Sequence, residues 1–351
     1  MNTHIQLNTQ DAQTVQTVQT DQAVQTRDVT MVEAVNLALH RAMQDDERVV
    51  ILGEDVALNG GVFRATEGLK NEFGCKRVMD TPLAETLRAG LSVGMATQGL
   101  RPVAEIQFMG FIYAAVEHLV SHAARMRNRT RGRLSCPLVL RAPYGGGIHA
   151  PEHHSESTEA IFAHVPGLRV VIPSSPRRAY GLLLAAINNP DPVVFLEPKR
   201  IYRIQKQRIE DDGQALPLDT FFTLKTGSDI TLISWGAMIH ETLLAAKELE
   251  QQGISAEVID LATISPIDYQ ALASSVEHTG RCVIVQEAAL SCSVATDIAA
   301  HLNRLCFDSL AAPIEIVSGY DIPMPYYQNE HHYMPGVQRI LEQVQRVLED
   351  A

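Results

Sequence analysis

From residue 29 onward the chain alternates short apolar blocks with polar ones, and each block has the length and period of one element. Met31 to Gln44 repeats its apolar positions at helical spacing. Val49 to Leu52 is a short apolar strand that runs into Gly53-Glu54-Asp55-Val56. A second helix is predicted from Pro82, with Thr81 as its N-cap and the proline at the first helical position. Leu83, Leu87, Leu91 and Met95 recur at every fourth position and predict a buried face. Gly90 and Gly94 lie one turn apart on a neighbouring face. Each costs a helix interior about 1 kcal/mol relative to alanine, so the pair points to close approach of another backbone. Further strands are predicted at Val103 to Phe108, Leu138 to Arg141, Arg169 to Ile172 and Val193 to Leu196, with helices from about Ile112 to Met126 and from Pro176 to Ile187. Short apolar strands between helices imply a parallel sheet covered on both faces.

A second alternating block holds strands at Ile230 to Ser234, Ala256 to Leu261, Cys282 to Gln286 and Ile314 to Val317. The fold class is therefore α/β, with two open, largely parallel-sheet domains. Residues 1–26, a Gln/Thr/Val/Asp tract without lysine or arginine, read as a disordered tail and fit neither a secretory nor a mitochondrial leader. The first domain is expected over residues 27–203. Residues 204–218, with Asp211-Asp212-Gly213 and Pro217, form a linker, and residues 219–351 form the second domain.

Composition narrows the class. The chain has 351 residues, 46% hydrophobic and 20% charged, enough to fill two cores. It has no apolar run long enough to span a membrane. A net charge of −12 argues against nucleic acid as a partner and suits a basic protein partner. The five cysteines form no C-x-x-C pair and read as reduced thiols of a cytoplasmic protein.

Several residues could carry chemistry. A capping box would place its acid at position 84, where Ala84 stands; Glu85 lies one step further in, beside the apolar face. It is either a first-turn carboxylate suited to the helix dipole or a functional group. Glu54 follows the first strand directly, where ligands gather in open α/β sheets, and is either a site residue or a solvated loop acid. Gln107 and Phe108 end the next strand and Phe111 opens the following helix. An aromatic there could stack on a heterocycle or simply fill the core. The loop Pro143 to Ser155 holds three glycines and His149, His153 and His154. Its histidines could bind metal, although they lack helical presentation and a cysteine partner. Its glycines could cradle phosphate, although no Lys-Ser/Thr follows. Arg125, Arg127, Arg129, Arg131 and Arg133 alternate along an arginine run that suits a solvated helix end or a docking surface. No G-x-G-x-x-G follows a strand, which disfavours a dinucleotide-dependent dehydrogenase acting alone.

The run Glu85-x4-Gly90-Leu91-x2-Gly94-Met95-x2-Gln98 resembles the E-x4-G-Φ-x-x-G-Φ-x-x-Q signature of thiamin diphosphate enzymes. The loop ending His153-His154-Ser155, together with HHSESTEAIFAHVPGLRVVIPSSP, FLEPKRIYR and GYDIPMPYYQNEHHYMP, is similar to β subunits of the E1 component of 2-oxo acid dehydrogenase complexes, the branched-chain 2-oxo acid (2-oxoisovalerate) type above all. Pyruvate and acetoin dehydrogenase β subunits share every motif and are the alternative. A non-catalytic cofactor-binding or scaffold protein is the second.

The resemblance implies a thiamin-enzyme pyrimidine-binding domain followed by a transketolase C-terminal-like domain, in an α2β2 heterotetramer whose active site lies between an α and a β subunit. It implies that Glu85 hydrogen-bonds N1′ of the aminopyrimidine, that Leu83, Gln107 and Phe111 line its pocket, and that Glu54 belongs to an acidic passage joining paired sites. His154 would face the substrate and the incoming lipoyl group, and His149 would shape the loop. The reaction implied is oxidative decarboxylation of a branched-chain 2-oxo acid, with transfer of the acyl group to lipoyl-E2 and docking on the E2 subunit-binding domain. The family's diphosphate and Mg²⁺ are held through a G-D-G segment, which this chain lacks, so the α subunit would hold them. Relatives also hold K⁺ between two loops of the first domain. The matching positions are Leu138, Ala186, Ile187, Asn189 and Asp191, with Asn and Asp in the reverse of the family order.

Overall fold

The structure is a computed structural model that describes residues 26–349. Among these residues, one seven-stranded sheet runs edge to edge through Thr263–Ser265, Arg169–Val171, Val193–Pro198, Val139–Tyr144, Arg101–Glu105, Val49–Gly53 and Val78–Asp80. All its pairings are parallel except that of Thr263–Ser265, which crosses from the second half of the chain. Every residue of Val49–Gly53, Val139–Tyr144 and Val193–Pro198 is buried, as expected of strands covered on both faces. Alternate residues feed different cores. Ile51, Val103, Val139 and Phe195 meet helices Met31–Asp45 and Pro176–Asn188, whereas Leu52, Ala104, Leu140 and Val194 face Ala96, Ile112 and Leu119.

The second sheet has the order Glu315–Gly319, Cys282–Ala289, Ile230–Ser234, Ala256–Asp260 and Phe222–Lys225. Only the last strand is antiparallel. One continuous apolar cluster joins the two sheets through Tyr144, Ile172, Trp235 and Ile264. Among the described residues no helix is long and apolar enough to cross a membrane, and the five cysteines are free.

The structure corrects several expectations. The segment expected to be a linker contains strand Gln207–Glu210, which pairs with Thr26–Val29 and closes a small ribbon over the first domain. Thr26 thus belongs to a strand; the rest of the expected tail lies outside the described residues. The helix predicted from Pro82 begins at Glu85, because Thr81 still donates its N–H to Gly53 O at 2.8 Å. The single helix expected from about Ile112 to Met126 is broken into a 3₁₀ stretch Met109–Ala115, a wider π turn His118–Ala123 and a short α turn Met126–Arg129. Its path follows the Glu85 helix: Thr86 Oγ1 donates to Ala114 O at 2.8 Å, and His118 packs against Gly90.

Of the apolar stripe predicted for the Glu85–Thr97 helix only Met95 packs against the core; the other three positions are not buried within the chain. Leu83 is 81% exposed, Leu87 53% and Leu91 42%. The face turned inward is Arg88, Ala89, Ser92 and Ala96. The two glycines meet no other backbone: a Cβ on Gly90 would touch the His118 ring, and one on Gly94 would meet nothing.

Candidate active site

Parallel strands deliver side chains at their C-terminal ends, and here that edge collects the chemistry. Asp80 ends one strand, Glu54 follows another, Gln107 lies just past a third, and Tyr144 opens the glycine loop after a fourth. Across these ends runs Arg88, a fully buried guanidinium. Its Nε donates to Thr81 Oγ1 at 3.1 Å, its Nη1 to Glu105 O at 3.0 Å, and its Nη2 to the Glu54 carboxylate. Glu54 is 7% exposed, so it is a buried partner of an arginine and not a solvated loop acid. Deeper still, Arg141 bridges Glu105 at 2.8 Å and Glu197 at 2.6 Å, and Tyr202 donates to Glu197 at 2.6 Å. Burial pushes the Glu105 carboxyl up, against the pull of Arg141.

Glu85 stands one turn before Arg88, as the first residue of its helix. It is half-buried and makes no hydrogen bond or ion pair with any described residue. Leu83 projects into the open beside it in sequence. The Met109–Ala115 stretch brings Phe111 to the histidine loop, and three aromatic contacts join them. The His154 ring stands edge-on to Phe108 at 4.5 Å and to Phe111 at 5.4 Å, and the His153 ring lies 5.0 Å from Phe111. The close fit depends on Gly110, where any Cβ would collide with the His153 carbonyl. His154 Nδ1 is buried and has no partner.

The elements that carry Glu85, Gln107, Phe111 and His154 thus pack together, with Glu54 beneath on Arg88. His149 is turned away, its Nδ1 2.7 Å from Glu330 of the second domain. His149 thus lies apart from His153 and His154, which share Phe111, and among the described residues no group of three or more His, Cys, Asp or Glu could hold a metal. All five arginines of the run are exposed. Arg127 reaches Asp191 at 2.7 Å.

Leu138, Ala186, Ile187, Asn189 and Asp191 gather at the opposite, N-terminal edge of the sheet. Arg101 Nη1 donates to Ile187 O at 2.7 Å and to Asn189 O at 3.3 Å, and Arg127 and Arg169 flank the Asp191 carboxylate. Guanidinium groups already supply the charge these oxygens would share with a monovalent cation.

Arg88, the buried partner of Glu54, is a residue the sequence does not single out. The one available signal was the small-residue face Ala89, Ser92 and Ala96, on whose side it lies.

The residues fit one end of a thiamin coenzyme: a carboxylate without a partner among the described residues, exposed Leu83 two positions before it, aromatic rings on the adjoining stretch, and an imidazole nitrogen left open. The fold is of the transketolase type. The transketolase pyrimidine-binding domain family matches residues 27–205, and the transketolase C-terminal domain family matches residues 222–340. A solved split-gene transketolase, an inactive β4 tetramer, superposes with a TM-score of 0.75 at 21% identity, covering 92% of this chain and 99% of that one. The pyruvate dehydrogenase E1 component subunit beta of Acholeplasma laidlawii is 48% identical over 320 residues, 91% of this chain and 98% of its own. That of Bacillus subtilis is 46% identical over 321 residues, 92% and 99%. The chain belongs to the E1 β-subunit family of the thiamin diphosphate-dependent 2-oxo acid dehydrogenases.

Proposed function

We propose that this chain is the β half of a pyruvate-decarboxylating E1 enzyme, which completes its active site with an α subunit and passes the acyl group to the lipoyl arm of an E2. Support for pyruvate comes from the names of relatives at 48% and 46% identity. The branched-chain reading rests only on likeness of three loop segments, so pyruvate takes precedence.

The observation that carries the proposal is the Glu85 carboxylate, without a partner among the described residues, at the start of a helix that packs on the stretch bearing Phe111, together with the unpartnered His154 Nδ1. When bound, thiamin diphosphate supplies the electron sink for decarboxylation. Glu85 would hydrogen-bond N1′ of the pyrimidine ring, which bears a hydrogen in the imino form, and so favour the tautomer that the reaction needs. Leu83, Gln107 and Phe111 would flank the ring. Arg88 keeps the Glu54 carboxylate in place under this floor. His154 would hold the incoming lipoyl group, its ring orientation set by Phe108 and Phe111. The chain's lack of a G-D-G segment supports assigning the diphosphate and Mg²⁺ to the α subunit.

The test is co-expression with the α partner and measurement of CO₂ release from pyruvate and from 3-methyl-2-oxobutanoate. Pyruvate should give the higher kcat/KM. Glu85→Ala should lower kcat by on the order of 10²-fold or more, as loss of a proton-handling group does. Normal turnover by Glu85→Ala, or turnover by the isolated β chain, would defeat the proposal.

A further inference from the structure

We infer that Glu287 and Glu330, two carboxylates of the second domain, are positioning residues that clamp the loop bearing His154. The role assigned to His154 rests on the E1 reading; the clamp itself rests on geometry alone.

The loop opens with three glycines, and Gly145 and Gly147 have φ near +85° and +82°. Consecutive N–H groups in such a turn form a concave donor set that favours an anion. The anions are already there, supplied by the other half of the chain. Gly146 N donates to Glu287 Oε1, and Ser157 Oγ donates to the same oxygen at 2.8 Å. Gly147 N donates to Glu330 Oε1 at 2.6 Å and His149 N to its Oε2 at 3.0 Å, while His149 Nδ1 lies 2.7 Å from Oε2. Both acids are 2% exposed. Lys199 is buried beside them and donates to Gly145 O. This answers the question the glycines raise: the loop is no phosphate cradle, because carboxylates of Cys282–Ala289 and of Tyr327–Tyr333 fill its donor set.

Side chains leave no slack. A Cβ on Gly145 would sit 2.8 Å from Glu287 Oε1, one on Gly146 would sit 2.5 Å from Met324 Cε, and one on Gly147 would collide with Arg200. Glu287 thus grips residues 146 and 157, and Glu330 grips residues 147 and 149. The segment that holds His154 is tied near both ends to the second domain. Its ring rests on Phe108 and Phe111 of the first. Glu85 stands on a helix that neither acid touches. Loss of the clamp should therefore displace His154 more than Glu85, and a small displacement of a catalytic group is costly.

The experiment has two readouts on the full chain assembled with its α partner. In Glu330→Ala, the amides of Gly147 and His149 should exchange hydrogen faster than in wild type, with Glu330→Gln, which keeps one acceptor oxygen, between the two. In the same variant, acyl transfer to a lipoyl acceptor should fall on the order of tenfold further than pyruvate decarboxylation coupled to ferricyanide. Glu287→Gln, read at Gly146, gives a second determination should Glu330→Ala fail to fold. Unchanged amide exchange, or an equal loss in both half-reactions, overturns the clamp. A wild-type complex that decarboxylates no 2-oxo acid would instead overturn the E1 reading, and the exchange comparison would still decide the clamp.

Discussion

Arg88 places a full positive charge where a helix turns its back on solvent, and among the described residues Glu54 is the one acid it pairs with directly. Taking either charge away leaves the other in a medium that solvates it poorly. Arg88→Met should therefore lower the unfolding free energy by about 3–5 kcal/mol, and the double variant Arg88→Met/Glu54→Gln should recover roughly half of that loss. Urea denaturation of the four proteins gives the coupling, and strictly additive effects would show that the pair is not a unit. Little of this was legible in the run ETLRAGLSVG. Arginine is a good helix former and is almost never fully buried unless paired, so a lone Arg inside a helix reads as solvated. Its partner lies 34 positions earlier, a distance over which no local pattern speaks. Glu85 stands out through the E-x4-G spacing; its displacement by one position from a capping box leaves it equally readable as a first-turn acid.

The Glu85–Thr97 helix shows where periodicity stops being informative. Leu83, Leu87 and Leu91 form a true apolar stripe, yet within this chain the helix buries Arg88, Ala89, Ser92 and Ala96 instead. A stripe reports that a face will be covered; it does not report whether the cover belongs to the same chain. The strands were legible because burial on both faces leaves only continuous apolar runs, as at Val49–Gly53 and Val193–Pro198. The break after Met109 was not, since the contacts of Thr86 and Gly90 that wind it into 3₁₀ and π turns come from a neighbouring helix. The E1 assembly proposed above offers another subunit as that cover. Leu87→Glu and Leu91→Glu should change the stability of the isolated chain by no more than about 0.5 kcal/mol, as exposed substitutions do. In sedimentation velocity with the α partner, both should abolish the full assembly. Assembly indistinguishable from wild type would mean that this face is not an interface.

At the scale of the whole molecule, the two sheets are joined by a seam that is both apolar and titratable. Thr263–Ser265 pairs onto the first sheet, Trp235 and Tyr144 share its core, and Glu159, Asp260 and Lys199 are among the ionisable groups buried along it. Burial pushes the Glu159 carboxyl up to about 8; Trp235 Nε1 reaches one oxygen at 3.3 Å, and the other has no partner. Burial raises Asp260 to about 6, against hydrogen bonding from Ser174. Burial also lowers the Lys199 ammonium to about 8, with Glu287 and Glu330 opposing. Between pH 4.5 and about 8 the folded chain keeps the Glu159 proton that the unfolded chain has released, so stability falls as pH rises through this window. Asp260 acts in the same direction from 3.8 to about 6. Lys199 acts above them: from about 8 to 10.5 the unfolded chain holds the extra proton, and stability is regained as pH rises. On these three groups the seam is weakest near pH 8, and Glu159 contributes about 5 kcal/mol at most to the descent. Glu159→Gln keeps the shape and an acceptor for Trp235 while removing the titration. Urea midpoints at pH 5.5 and pH 8 should differ clearly in wild type and much less in Glu159→Gln. The same pH slope in both proteins would place the titrating group elsewhere.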